Sequence, residues 1–211
     1  MTSTTVYLAR HGQSAWNHRK MISGQLDPAL SPEGLLQAEA LAVAMGDIPL
    51  AAIYCSTLVR SRDTARIVAA GRDIPVRERA DLAELNWGAM QGRFRDHRDP
   101  EAEALWKARK ADPLGFAPPG GETLAALMSR VEHALSDIIA AHGGDNILIV
   151  GHRNTNRAIL SVLMRWTAEE VIRLPVSQHT CYRIETGSSP SMSQIRFVTQ
   201  SALTVTSGVT P

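Results

Sequence analysis

The run Asn146-Ile-Leu-Ile-Val150 is apolar at every position after its asparagine and stops at Gly151-His152. Successive side chains of a strand point to opposite faces, so such a run has no face to give to water. It belongs in the middle of a sheet covered on both sides, which is the setting of parallel strands under helices. Val6 to Ala9 reads as a second buried strand and Ala51-Ala-Ile-Tyr-Cys55 as a third. Helical stretches separate them. Ser31 is a good N-cap, Pro32 suits the first helical position, and Leu35, Leu36, Leu41 and Met45 supply an apolar stripe before Gly46. Ser56-Thr57 can cap a helix running to about Ala70. Leu124, Leu127, Val131, Leu135 and Ile138 follow the helical period before Gly143-Gly144, and Asn154 or Thr155 opens another helix with Ile159, Leu160 and Leu163 inward. Thr167 caps a short helix.

The remaining strands are weaker. Pro75 demotes Ile74 to Arg77 to a sheet edge. Cys181 to Glu185 with Ile195 to Thr199 reads as a hairpin, and the tail 200–211, without a periodic pattern, is expected to fray. The order of elements predicts an α/β fold, a three-layer αβα sandwich with a mainly parallel central sheet and an antiparallel C-terminal contribution. No repeat or linker divides the chain, so residues 1–211 are expected to form one domain. The stretch 81–119 is the exception to the periodicity. It is rich in charge, glycine and proline, carries one helical piece around Glu101 to Lys110, and reads as a lid-like insertion facing a substrate.

With 22 basic and 21 acidic residues the net charge is +1, which favours neither nucleic acid nor a membrane surface as partner. Cys55 and Cys181 are too few for a disulfide framework, and with no leader or spanning segment in view a cytoplasmic location is expected.

Two strands at opposite ends of the chain finish on a histidine: Arg10-His11-Gly12 and Gly151-His152-Arg153. The strand before Ser56 ends close to Arg60, beside a helix N-terminus able to receive an anion, and the helix after His152 offers a second one. Open α/β sheets place ligands at the carboxyl ends of their strands. Two imidazoles and two guanidiniums in one concavity suit a phosphoryl group, because the arginine fork matches its oxygens and a neutral imidazole nitrogen can attack phosphorus.

The residues Leu8-Ala-Arg10-His11-Gly12-Gln13-Ser14-Ala-Trp16-Asn17, Ser56-Thr-Leu-Val-Arg60-Ser-Arg62-Asp-Thr64-Ala65, Leu82-Ala-Glu84-Leu85-Asn-Trp87-Gly88 and Val150-Gly151-His152 resemble, in order, the signature segments of the histidine phosphatase superfamily. The likeness extends over nearly the whole chain and implies a phosphoglycerate mutase-like fold. It implies that His11 accepts the phosphoryl group, that Arg10, Arg60 and His152 hold its oxygens, and that Glu84 protonates the leaving oxygen and then deprotonates the attacking water. Asn17 would add a donor. Gln13, Ser14, Gly24, Gln25 and Arg153 are carried as substrate contacts. Neither metal nor other cofactor is implied, since guanidiniums do the work that magnesium does in kinases. Arg153 and Ala83 depart from the family pattern.

Arg93 to Pro119 lacks the arginine-rich segment of the mutases, whereas Pro119-Gly-Gly-Glu122-Thr123 resembles the phosphatase members. The expected activity is therefore a metal-independent phosphomonoesterase acting on a small phosphorylated metabolite through a phosphohistidine. A mutase-type phosphotransferase and a non-catalytic phospho-ligand binding protein are the alternatives, and a homodimer is left open. Trp16, Trp87, Trp106 and Trp166 read as packing residues, Arg62 and Arg66 as surface ion pairs. His18, His133, His142 and His179 read as solvated or capping, with His18 and His97 as minor substrate-contact candidates. Glu122 either starts a helix or faces the substrate.

Overall fold

The computed structural model describes residues 3–197 and 203–207. Its centre is a seven-stranded sheet in the order β3-β2-β4-β1-β5-β6-β7. The strands are β1 (Thr5–Arg10), β2 (Leu50–Cys55), β3 (Val76–Glu78), β4 (Asn146–Gly151), β5 (Thr180–Glu185), β6 (Ser191–Phe197) and β7 (Leu203–Ser207). The first four pair in parallel, and β5, β6 and β7 extend the sheet antiparallel from β1. The helices are α1 (Ala15–His18), α2 (Pro32–Ala44), α3 (Val59–Ala69), α4 (Pro100–Ala111), α5 (Leu124–Ala140), α6 (Arg153–Met164) and α7 (Ala168–Ile172).

The two-sided burial of β4 follows from its composition. Ile147 and Ile149 join Val6, Leu8, Ala52 and Tyr54 under α5 and α6 on one face. Leu148 and Val150 join Tyr7, Ala9, Ile53 and Cys55 under α2 and α3 on the other. The alternation of strand side chains thus divides the core into two layers, and the helices close each of them.

Several elements differ from the sequence expectation. In α2 the cap at Ser31 is present, its side chain accepting from Gly34 N–H, but Leu35 and Leu36 are 45% and 49% exposed. Leu41 and Met45 are buried as expected, and Gly34, Gln37 and Ala38 take the inward places of Leu35 and Leu36. The reason is a close backbone approach: a Cβ at Gly34 would overlap the Gln13 carbonyl, and one at Gly12 the Gly34 carbonyl. Turning this small-residue face inward turns the leucines out. The helix α3 starts at Val59 after Leu58, without a side-chain cap, because Ser56 is engaged elsewhere. His152, and not Asn154 or Thr155, is the residue before α6. Within the tail, Leu203–Ser207 forms β7 on β6 rather than fraying, while 198–202 and 208–211 lie outside the described residues. The first part of 81–119 packs inward: Leu82, Leu85, Trp87 and Met90 belong to the main core.

Candidate active site

Three parallel strands end at one mouth, and their ends are tied together. His11 N–H donates to the Gly151 carbonyl (3.0 Å), Asn156 of α6 donates to the Ala9 carbonyl (3.0 Å), and Ser61 of α3 donates to the Val150 carbonyl (2.6 Å). Thr64 Oγ1 accepts from Gly12 N–H and donates to the Arg60 carbonyl, so the turn after β1 is fastened to α3.

His11 and His152 meet there with ring centroids 4.9 Å apart. His11 Nδ1 lies 2.6 Å from the Gly12 carbonyl oxygen. A carbonyl only accepts, so the ring proton sits on Nδ1 and Nε2 keeps its lone pair. Ser56 Oγ lies 2.7 Å from His152 Nε2 and already accepts from Leu58 N–H. Its hydroxyl can donate to Nε2, the arrangement in which the second imidazole carries its proton on Nδ1. That nitrogen is buried without a partner among the described residues. Both imidazoles are held well below the ordinary histidine range, first by burial and then by Arg60, with Arg10 adding to it in both and His11 in His152. They are neutral at neutral pH.

Arg60 is 1% exposed. Its guanidinium donates to the carbonyls of Gly24 (2.7 Å) and Leu26 (2.9 Å), with Asp27 4.0 Å away. Arg10 reaches the Val176 carbonyl, and its buried Nε has no partner. Burial, followed by repulsion from Arg153, lowers Arg10 to about 10, so it stays charged at neutral pH.

Glu84 occupies the place the sequence reading left for a substrate anion. Its carboxylate accepts from Leu85 N–H (2.8 Å) and, through Oε1 (3.2 Å) and Oε2 (3.4 Å), from Asn154 N–H in the first turn of α6. The loop that carries it is gripped from α5. Arg130 donates to the carbonyls of Asp81, Ala83 and Glu84 and pairs with Glu122 at 2.7 Å, and Glu122 accepts from Asn86 N–H. Glu122 is thus a loop fastener, away from the cleft lining.

A cleft of about 540 Å³ opens over these groups. Arg10, His11, Arg60, Glu84, Gln13, Asn17, Gly24 and Arg153 line it, whereas Ser14 and Gln25 do not. Ser14 is buried as the cap of α1, its Oγ accepting from Asn17 N–H and its own N–H donating to Asn17 Oδ1, and Gln25 donates to the Glu84 carbonyl. His152 lies beneath the lining, against His11. Trp87 and Trp106, read as packing residues, do line the cleft. So do Lys20, Arg95, Arg109, Lys110 and Arg157, which the sequence reading missed. Arg157 was legible, one helical turn after Arg153; Lys20 and Arg95 lie in loops, and Arg109 and Lys110 lie on α4, where nothing local shows which face meets the cleft. His142 is buried rather than solvated, between Tyr54 Oη and Asp145. Arg62 and Arg66 pair with Glu78 as expected. Among the described residues no three His, Cys, Asp or Glu side chains gather as a metal-ligand set.

The model of the histidine phosphatase superfamily, branch 1, matches residues 6–193. The chain belongs to that superfamily. Among its relatives, the Yersinia pestis protein named "Probable phosphoglycerate mutase GpmB" is 31% identical over 185 residues, covering 88% of this chain and 86% of the relative. Among solved structures, alpha-ribazole phosphatase from Shigella flexneri is similar with a TM-score of 0.81 at 28% identity, covering 88% of this chain and 93% of that one. A mycobacterial glucosyl-3-phosphoglycerate phosphatase gives a TM-score of 0.74 at 26% identity, covering 92% and 90%. The superfamily and these two phosphatase neighbours support an enzyme of the phosphoric monoester hydrolase class. Among the described residues no helix is long and apolar enough to cross a membrane.

Proposed function

We propose that this chain hydrolyses a small phosphorylated metabolite through a phosphohistidine on His11. The observation that carries the reading is the state of His11: neutral, buried among guanidiniums, its Nδ1 proton spent on the Gly12 carbonyl and its Nε2 free. In the first step Nε2 bonds to phosphorus as the bond from phosphorus to the ester oxygen breaks. The departing oxygen takes a proton from Glu84, which avoids expelling an alkoxide. In the second step water attacks phosphorus, gives a proton to Glu84, and the N–P bond breaks to release phosphate and restore the lone pair. Arg10, Arg60 and the unpartnered Nδ1–H of His152 face the charge on the phosphoryl oxygens throughout. Donors fixed before the reaction need no reorganisation, and that is where most of the rate gain lies.

Asn17 has its side-chain oxygen tied to Ser14 N–H, which turns its amide donors to the cleft as a further phosphoryl contact. Gln13 and Gly24 complete the near wall. The two cysteines are free and buried, as suits the reducing cytoplasm in which we place the protein.

Release of phosphate from an aryl phosphate in the presence of a chelator tests the reading. The wild type turns over, His11→Ala loses on the order of 10⁴-fold or more, and rapid quenching traps label on His11. Undiminished turnover by His11→Ala would overturn it. The likeness to a named phosphoglycerate mutase favours one rival, a phosphotransferase between positions of one substrate. Activity that requires a bisphosphate primer would establish that rival over hydrolysis.

A further inference from the structure

The cleft carries more positive charge than a phosphoryl group can use. Beyond Arg10 and Arg60 it is lined by Lys20, Arg95, Arg109, Lys110, Arg153 and Arg157, and its only acidic lining residue is Glu84. Among the described residues none of those six cations has a carboxylate within ion-pair distance. The same insertion shows what its cations do elsewhere. Arg93 pairs with Asp99 and Glu101, Arg98 with Asp96, and Lys107 with Glu103. Within the insertion, the cations turned away from the cleft are paired, and the six outer cleft cations are not.

Arg109 is the sharpest case. It is 7% exposed, and its Nε is buried without a hydrogen-bond partner. A buried guanidinium left unsatisfied is costly, so its retention needs a reason. Its charge centre lies over the Trp87 ring, 5.8 Å from the centroid, in a cation–π contact. Trp87 lies 5.3 Å from Trp106, and Arg95 stands 5.2 Å from the Trp106 ring. A ring face positions a guanidinium and consumes none of its N–H donors, which a carboxylate would do. Arg157 repeats the pattern, with one donor on the Leu174 carbonyl and a buried Nε without a partner. The cations also feel one another. After burial, Arg153 is the next cause that lowers Arg10, Arg95 and Arg157, and Arg109 also lowers Arg157. They form one field that runs outward from Arg10.

We propose that Arg109, Arg153 and Arg157 form a second-anion subsite, so that the substrate is a phosphomonoester carrying a further carboxylate or phosphate group beyond the scissile phosphate. This rests on the phosphatase reading above and narrows it. The cleft volume of about 540 Å³ is that of sites that enclose a whole metabolite rather than one ion. Phosphomonoesters with a neutral remainder satisfy the inner groups and leave the outer ones facing each other.

Matched pairs test it. In the carboxylate arm, 3-phosphoglycerate is compared with glycerol 3-phosphate; in the phosphate arm, propane-1,3-diol bisphosphate with its monophosphate. The wild type is expected to favour the second-anion member of one arm at least tenfold in kcat/KM, and the arm that responds names the group. Arg153→Gln, at an exposed position, and Arg109→Met should each bring that ratio towards one. Ratios near one in both arms for the wild type would overturn the proposal while leaving the phosphatase reading intact. So would a ratio that both variants preserve. If no member is turned over, the aryl phosphate assay decides the phosphatase reading, and calorimetric binding of the same pairs to the wild type decides the subsite by itself. Equal affinity within each pair overturns it, and tighter binding of the second-anion member, weakened by Arg153→Gln, upholds it.

Discussion

The strand mouth and the insertion over it hold their cations by different forces. At the mouth the basic groups are fixed by directional hydrogen bonds: Arg60 to two carbonyls, His11 to Gly12, Arg10 to Val176, and His152 to the Ser56 hydroxyl. Along the insertion Arg95 and Arg109 rest on tryptophan faces. Hydrogen bonds fix position to a fraction of an ångström, as reacting atoms require. Stacking fixes a plane and lets the group slide within it. The mouth is therefore suited to chemistry, which has one geometry, and the insertion to recognition, which adjusts to the ligand.

Glu84 marks the boundary and gives the largest expected effect. By sequence it lies in the insertion, yet its carboxylate is tied to α6 and its loop is gripped by Arg130 from α5. It should behave as part of the mouth. Glu84→Gln keeps the shape and removes the transferable proton, and kcat on a substrate with a poor leaving group should fall by about 10² to 10⁴. The loss should shrink as the leaving group becomes more acidic, because a stable phenolate departs without help. A loss equal for all leaving groups would put Glu84 on the binding side of the division.

Gly34→Ala tests the mouth as a packed object. Inside a helix, replacing glycine by alanine gains about 1 kcal/mol. Here the new methyl overlaps the Gln13 carbonyl, and the net change should be a loss of about 3 kcal/mol or more, read from denaturant unfolding. A neutral or stabilising result would mean that the loop after His11 is free to move aside, and the contrast with the insertion would weaken.

That same glycine shows where the sequence was hard to read. The parallel strands were legible because two-faced burial leaves a plain mark: apolar residues at every position from Ile147 to Val150 in β4 and from Val6 to Ala9 in β1. In α2 the expectation held for Leu41 and Met45 and failed for Leu35 and Leu36, since the contact at the start of the helix is backbone to backbone through Gly34. β7 was missed because Leu203–Ser207 is short, and its reason for being a strand is the edge of β6, which the local residues do not reveal. In the site, the histidines and Arg60 were legible from their places at strand ends. The outer cations were not: Arg95 lies in a loop, and Arg109 lies on α4, whose sequence does not show that it packs over the cleft.

The electrostatics of the mouth predict an intermediate effect. Arg60 is the leading charge that lowers His11 and His152 after burial. Arg60→Met removes a positive neighbour, so both imidazoles should titrate at higher pH than in the wild type, towards about 6.5, as read by NMR of the ring protons. The same depression makes the fold sensitive to acid. The unfolded chain takes protons on these imidazoles as pH falls through about 6.5, and the folded chain resists until lower pH. Their contribution to stability is thus fully present above that value and is lost as pH falls towards the folded values. Wild-type imidazoles titrating at the ordinary pH would remove the electrostatic basis for a neutral nucleophile.

The smallest expected effect lies in the insertion. Trp106→Leu keeps an apolar side chain and removes the ring beneath Arg95, along with the neighbour of Trp87. An exposed cation–π contact is worth about 0.5–1 kcal/mol, which corresponds to a rise in KM of roughly two- to five-fold. The reacting groups are held by backbone bonds that Trp106 does not touch, so kcat should move less than KM. Salt adds a second readout. If the ring serves to keep Arg95 over the cleft, the variant's KM should depend less on ionic strength than that of the wild type, because a cation released into solvent is screened. A fall in kcat larger than the rise in KM would show instead that the insertion shapes the reacting geometry, and the two regions would then have to be treated as one device.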